Sequence, residues 1–196
     1  MKKKQEEILF TKELVDGFVR RAYHTACEHG FHDEWHSDEH WMMLVVSEIG
    51  EMMEADRKNR RANRAGFEKC VGLTWDDRFK DYVKDSLEDE LADVCIRLFD
   101  FCGMHGVLPL MTDHGIVDMS ECFENLYGAL SITEQCFGLT EFAVEIPNSE
   151  NLSRDIGVIV AFCIEFARYH NIDLVWHIEQ KMHYNESRPK KHGKKY

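Results

Sequence analysis

Two short acidic segments carry the chemistry this chain is equipped to do. Ser47-Glu48-Ile49-Gly50-Glu51 sets two carboxylates three positions apart, and Glu90-Leu91-Ala92-Asp93 repeats the spacing. On a helix, residues at i and i+3 share a face. Two such pairs on adjacent antiparallel helices would gather Glu48, Glu51, Glu90 and Asp93 in a small volume. Like charges held together repel, so either the carboxyl pKa values rise or a cation neutralises the group. Oxygen donors without thiolate or imidazole suit Mg²⁺, with Mn²⁺ as the alternative. Mg²⁺ commonly completes its shell with substrate phosphates, so a triphosphate is a fitting ligand.

The setting separates these pairs from ordinary surface charge. Glu48 and Glu51 are embedded in LVVSEIGEMM, and Asp93 in LADVCIRLF. A helix apolar nearly all round is largely buried, and a buried carboxylate needs a partner. Glu54, Glu88 and Asp89 read instead as a solvated face.

The elements that must position the pairs are helical. Prolines number only 3 in 196 residues, and apolar residues recur at helical spacing. Helices are expected over 5–29, from Ser37 as N-cap to about 58, over 77–104 with a break before Asp85, over 118–139 and 150–170, and from 171 to about 184. Asp38 and Glu39 suit the first turn of the second helix. Gly106 and Pro109 close the helix that carries Asp93. The basic, Gly-punctuated stretch 59–76 reads as a mobile loop, and 110–117 as another. The fold class is all-α: a four-helix-type bundle with additional helices.

Offset by 65, the apolar pattern of Leu91, Val94, Cys95 and Phe101 returns at Ile156, Ile159, Val160 and Phe166. The acidic pair does not: Glu90 becomes Asp155 and Asp93 becomes Val158. Two amphipathic helices can match by chance; alternatively, the chain is a degenerate duplication. On that plan, one domain spans 1–196. A catalytic half covers about 1–108, and a decayed half with a basic tail covers about 109–196.

Composition bounds the partners. A net charge of −12 argues against long nucleic acid. It leaves a nucleotide open, because a bound cation inverts the local charge. The 7 cysteines contain no CxxC and mostly sit in apolar stretches, which fits a reducing compartment. No stretch approaches the ~20 apolar residues of a membrane span. A cytoplasmic location is expected.

The ExxE…ExxD arrangement on Glu48, Glu51, Glu90 and Asp93 resembles the metal-binding signature of the all-α nucleoside triphosphate pyrophosphohydrolase superfamily. That group includes MazG, dCTP pyrophosphatases and dimeric dUTPases. The motifs cover about residues 38–106, and the spacer between Glu51 and Glu90 is longer than the compact family pattern. The C-terminal run Lys181-Met-His-Tyr184-Asn185-Glu-Ser-Arg188-Pro-Lys-Lys191 is similar to the segment that contacts substrate phosphates in dimeric dUTPases. The resemblance implies Mg²⁺-dependent hydrolysis of a dNTP or non-canonical NTP to monophosphate and pyrophosphate. By family position it makes Glu51 the general base, although spacing alone does not separate Glu51 from Glu48. It also implies phosphate contacts from Lys181, Asn185, Arg188 and Lys191, and it leaves a homodimer open. The basic tail has a plainer reading as a solubilising segment.

Base stacking calls for flat apolar side chains, which makes Trp35, Trp41 and Trp75 candidates. Trp41 on an apolar helix also reads as core, and Trp75 as a loop anchor. Two rivals stand beside the hydrolase. His36 and His40, at i and i+4, suggest zinc, but HSDEH lacks the HExxH placement of a zincin. The other rival is a non-catalytic helical interaction module that keeps the fold without the activity.

Overall fold

The computed structural model describes residues 10–112, 115–116 and 120–193. Nine α-helices occur among the described residues. The first two are α1 (Lys12–Glu28) and α2 (Asp38–Arg57). Thr11 caps α1 by accepting the Leu14 N–H at 3.2 Å. Ser37 stands at the N-cap of α2 in extended conformation, without a side-chain cap bond.

Residues 59–76, expected as a mobile loop, instead contain helix α3 (Arg64–Lys69) and the start of α4 (Trp75–Tyr82). Asn63 and Thr74 cap these helices through their side chains. A second, smaller apolar cluster holds them: Phe67, Phe79 and Val83 pack with Tyr184, and Trp75 and Trp176 flank them. The partner residues lie more than a hundred positions downstream, so no local pattern announced this docking.

The expected break before Asp85 is present. Asp85 adopts a left-handed backbone (φ 57°). Helix α5 (Leu87–His105) then starts at Ser86, whose hydroxyl accepts the Asp89 N–H at 3.2 Å. Gly106 ends it at φ 65°, the left-handed closure that glycine takes without a Cβ penalty.

After α5, the two-residue strands β1 (Met111–Thr112) and β2 (Gly115–Ile116) pair antiparallel. The expected 118–139 helix is two: α6 (Ser120–Leu126) and α7 (Ile132–Glu145). A capping box between Ser131 and Glu134 starts α7, so the chain turns at 127–131 instead of running on. A 3₁₀ turn (Ile146–Asn148), α8 (Leu152–Tyr169), α9 (Leu174–Glu186) and a final 3₁₀ turn (Lys190–Gly193) follow.

Helix α5 is the centre of the bundle and packs against α1, α2, α8 and α9. Leu91, Val94, Cys95, Leu98, Phe99 and Cys102 are fully buried along it. One continuous core runs from Phe10 through Met182, joining both halves of the sequence. Three contacts fix the relation of α2 to α5. Asp38 at the start of α2 meets His105 at the end of α5 (3.1 Å). Glu48 meets Arg97 midway. Past the end of α2, the Arg60 carbonyl accepts the N–H of Leu87, the first residue of α5, at 3.2 Å. The two helices are therefore antiparallel.

No helix among the described residues is long and apolar enough to cross a membrane. All seven cysteines are unbridged.

Candidate metal centre and adjoining cleft

Antiparallel packing of α2 on α5 brings the two acidic pairs together. One carboxylate oxygen each from Glu48, Glu51 and Glu90 lies within 4.8 Å of the others. Glu48 and Glu90 are buried and Glu51 is exposed, so the group sits at the edge of the core with one ligand facing solvent.

Asp93, the fourth predicted ligand, stands outside this trio. Its Oδ2 lies 2.7 Å from the Nζ of Lys181 on α9. The same ammonium donates to Asp89 Oδ2, also at 2.7 Å. Asp89, read from sequence as a solvated residue, is completely buried. Its Oδ2 also accepts the Asp85 N–H at 3.0 Å, while its Oδ1 has no hydrogen-bond partner. The left-handed turn at Asp85 accounts for this difference. It starts α5 so that Asp89 points at α9 and not at water. Glu54 and Glu88 keep outer positions: Glu54 pairs with Lys58 and Arg57, and Glu88 accepts the Ala62 N–H at 2.9 Å.

Arg97, one turn beyond Asp93, was not anticipated from sequence. Its Nε and Nη2 both donate to Glu48 Oε1, at 3.1 and 3.0 Å, which aims that carboxylate. Five carboxylates (Glu48, Glu51, Asp89, Glu90, Asp93) thus face two cations, Lys181 and Arg97. The imbalance registers in the titration of the buried members. Burial pushes the Glu90 carboxyl up to about 9; Lys181 opposes this, and Asp93, Asp89 and Glu51 add to it. Burial likewise raises Asp89, to about 6, against the pull of Lys181. Burial works against the Lys181 ammonium, yet Asp89, Asp93 and Glu90 outweigh it and hold its pKa above the ordinary lysine value. A divalent cation fits this setting on two grounds: an all-oxygen donor set and more carboxylates than cations around it.

A narrow cleft of about 60 Å³ adjoins the centre between α1, α5 and α9. Glu48 and Asp93 both line it, one from each pair; Glu51 and Glu90 do not. Asn185 and Arg188 line it as well.

The other predicted contacts fall in varied places. Lys181 is locked in the acidic network and does not stand open to an incoming phosphate. Lys191, in the final 3₁₀ turn, packs against the loop between α1 and α2: its N–H donates to the His29 carbonyl at 2.8 Å, and its ammonium is 4.0 Å from Glu34. None of the three tryptophans lines the cleft. Trp35 is 86% exposed, Trp41 is core against His32, and Trp75 stacks on Phe79 in the second cluster. The aromatic residue in the cleft wall is Phe31. The His36 and His40 rings stack at 4.0 Å, and no third ligand joins them among the described residues.

Compared with known proteins, the chain matches no family model, no curated protein and no solved structure at a significant level.

Proposed function

We propose that this chain hydrolyses a nucleoside triphosphate, a dNTP or a non-canonical NTP, between its α and β phosphates in the presence of Mg²⁺. The observation that carries the reading is the convergence of Glu48, Glu51 and Glu90 within 4.8 Å beside a cleft that also holds Arg188 and Asn185. Glu48, Glu51 and Glu90 would hold the cation, with Asp93 close by. When bound, such a cation neutralises phosphate charge and acidifies water.

The chain's own groups divide the remaining work. Glu51 would accept the proton of an attacking water, a role its exposure at the edge of the trio supports. Water adds across the anhydride; the bond between phosphorus and bridging oxygen breaks, and pyrophosphate departs. Arg188 lines the cleft with a guanidinium whose planar donors suit phosphate oxygens. Lys181 contributes differently from the sequence expectation. It pins α9 to α5 and keeps Asp93 oriented. The test is pyrophosphate release from a panel of canonical and damaged triphosphates with Mg²⁺. Complete inactivity across the panel removes the proposal.

A second reading rests on the Lys181 contacts. An ammonium shared by Asp89 and Asp93 also makes a static ion-pair network, of the kind a non-catalytic helical module would keep to hold α9 in register. The readings part on metal: the hydrolase binds Mg²⁺ at the trio and loses it on Glu90→Gln, whereas the static network has no use for the cation.

A further inference from the structure

The cleft continues past the centre along α5. Asp93, Arg97 and Asp100 all line it. Seven residues of helix separate Asp93 from Asp100, about 10 Å at 1.5 Å per residue. The cleft therefore reaches roughly two turns beyond the acidic end, into a region that phosphate chemistry leaves unused. Its walls there are small or apolar: Ala22 and Ala26 leave room, Ile96 and Met182 offer apolar surface for a flat ring, and Phe31, with the Arg97 guanidinium 5.7 Å from its ring centroid, closes the wall.

Two polar groups in this region offer acceptors, Asp100 and Asn185, beside Thr25 and an Arg97 that is engaged with Glu48. Asp100 is buried and held by the Nε2 of His32, 2.7 Å from its Oδ1. His32 is itself wedged between Trp41 and Tyr23, with ring centroids at 4.8 and 5.1 Å. Asn185, 8% exposed, also lines the cleft, and its Oδ1 has no hydrogen-bond partner. A buried acceptor without a donor costs free energy that a ligand N–H recovers. Burial raises the Asp100 carboxyl, and both the His32 bond and the Arg97 charge oppose that rise.

We infer that this end of the cleft reads the base, and that Asp100, positioned by His32, selects cytosine or adenine, which carry an amino group where uracil and thymine carry a carbonyl. The inference rests on the nucleotide reading of the same site. Cytosine and adenine present an amino donor where uracil and thymine present a carbonyl acceptor. A carboxylate accepts from the amino group and repels the carbonyl. Discrimination is strong where a site is built to hydrogen-bond one partner and the competitor leaves it unpaired.

The test is calorimetric titration of the full chain with dCMP, dAMP, dUMP and dTMP in the absence of Mg²⁺, so that turnover plays no part. Either dCMP or dAMP should bind about tenfold tighter than dUMP or more, and the tighter of the two identifies the base. Asp100→Asn should bring the ratio close to one. Equal or tighter binding of dUMP by the wild-type chain overturns the inference, as does binding of no monophosphate. An Asp100→Asn chain that folds and keeps the full preference also overturns it. If that variant does not fold, the wild-type ratio decides alone. Selective monophosphate binding without pyrophosphate release from any triphosphate sinks the hydrolase and leaves base reading intact. Turnover with indifferent binding does the reverse.

Discussion

Lys181 on α9 reaches across the bundle to place its ammonium 2.7 Å from Asp93 and 2.7 Å from Asp89, both on α5. Residues ninety positions apart thus share one buried charge network, and that network decides how the acidic face is arranged. Asp89 and Asp93 share the Lys181 ammonium, while Glu48, Glu51 and Glu90 converge within 4.8 Å on the other side, with Arg97 holding Glu48 and burial keeping the Glu90 carboxyl protonated.

Removing one partner of this pair should be costly. Lys181→Met leaves the Asp89 carboxylate buried without its cation, and the expected loss is about 3–5 kcal/mol in urea denaturation. Combining it with Asp89→Leu should recover much of that loss, because no charge is then stranded. A single variant as stable as wild type would show that Asp89 is already neutral in the fold.

Glu51→Gln tests the chemistry with the least structural risk, since Glu51 is exposed. Pyrophosphate release should fall by about 10²-fold or more, with the circular dichroism spectrum unchanged. Wild-type turnover in this variant removes Glu51 from the reaction.

Glu90 ties stability to pH. With its carboxyl raised to about 9, the metal-free fold holds a proton that the unfolded chain has lost, from about pH 4.5 upward. Stability from this group is complete below the unfolded pKa and declines as pH rises towards 9. Glu90→Gln should therefore stabilise the metal-free protein at pH 8 by an amount on the order of 2 kcal/mol, and by far less at pH 5. Equal effects at both pH values would contradict the assigned direction.

His177 acts at the acid end. Burial depresses its imidazole to about 4, so between pH 6.5 and 4 the unfolded chain binds a proton that the fold refuses. Stability should fall across that window by up to about 3 kcal/mol from this residue. His177→Gln should flatten the slope, as read from chemical denaturation between pH 4 and 7.

Arg188 lines the cleft mouth on the last residues after α9, where its loss should spare the core. Arg188→Ala should raise KM for the triphosphate about tenfold with little change in melting temperature. Deleting 186–196 should act in the same direction, with the larger effect on KM. Unchanged kinetics in both would return the tail to a solubilising role.

The helical content, the closure at Gly106, the break before Asp85 and the spacing of the two carboxylate pairs follow from local rules, and sequence by itself determined them. A spacing of three places side chains on one face whatever surrounds the helix. The apolar flanks of Glu48 and Asp93 likewise settled that their helices are central. Tertiary structure alone decided which carboxylates meet. Asp93 turned to Lys181, Asp89 went inside, and Arg97 closed on Glu48, because distances across α2, α5 and α9 depend on how side chains interdigitate and not on spacing along the chain. The same reason hid α3, whose apolar partners Tyr184 and Trp176 lie on α9. It also moved the cleft's aromatic wall from the tryptophans to Phe31, a loop residue whose place is set by what packs around it.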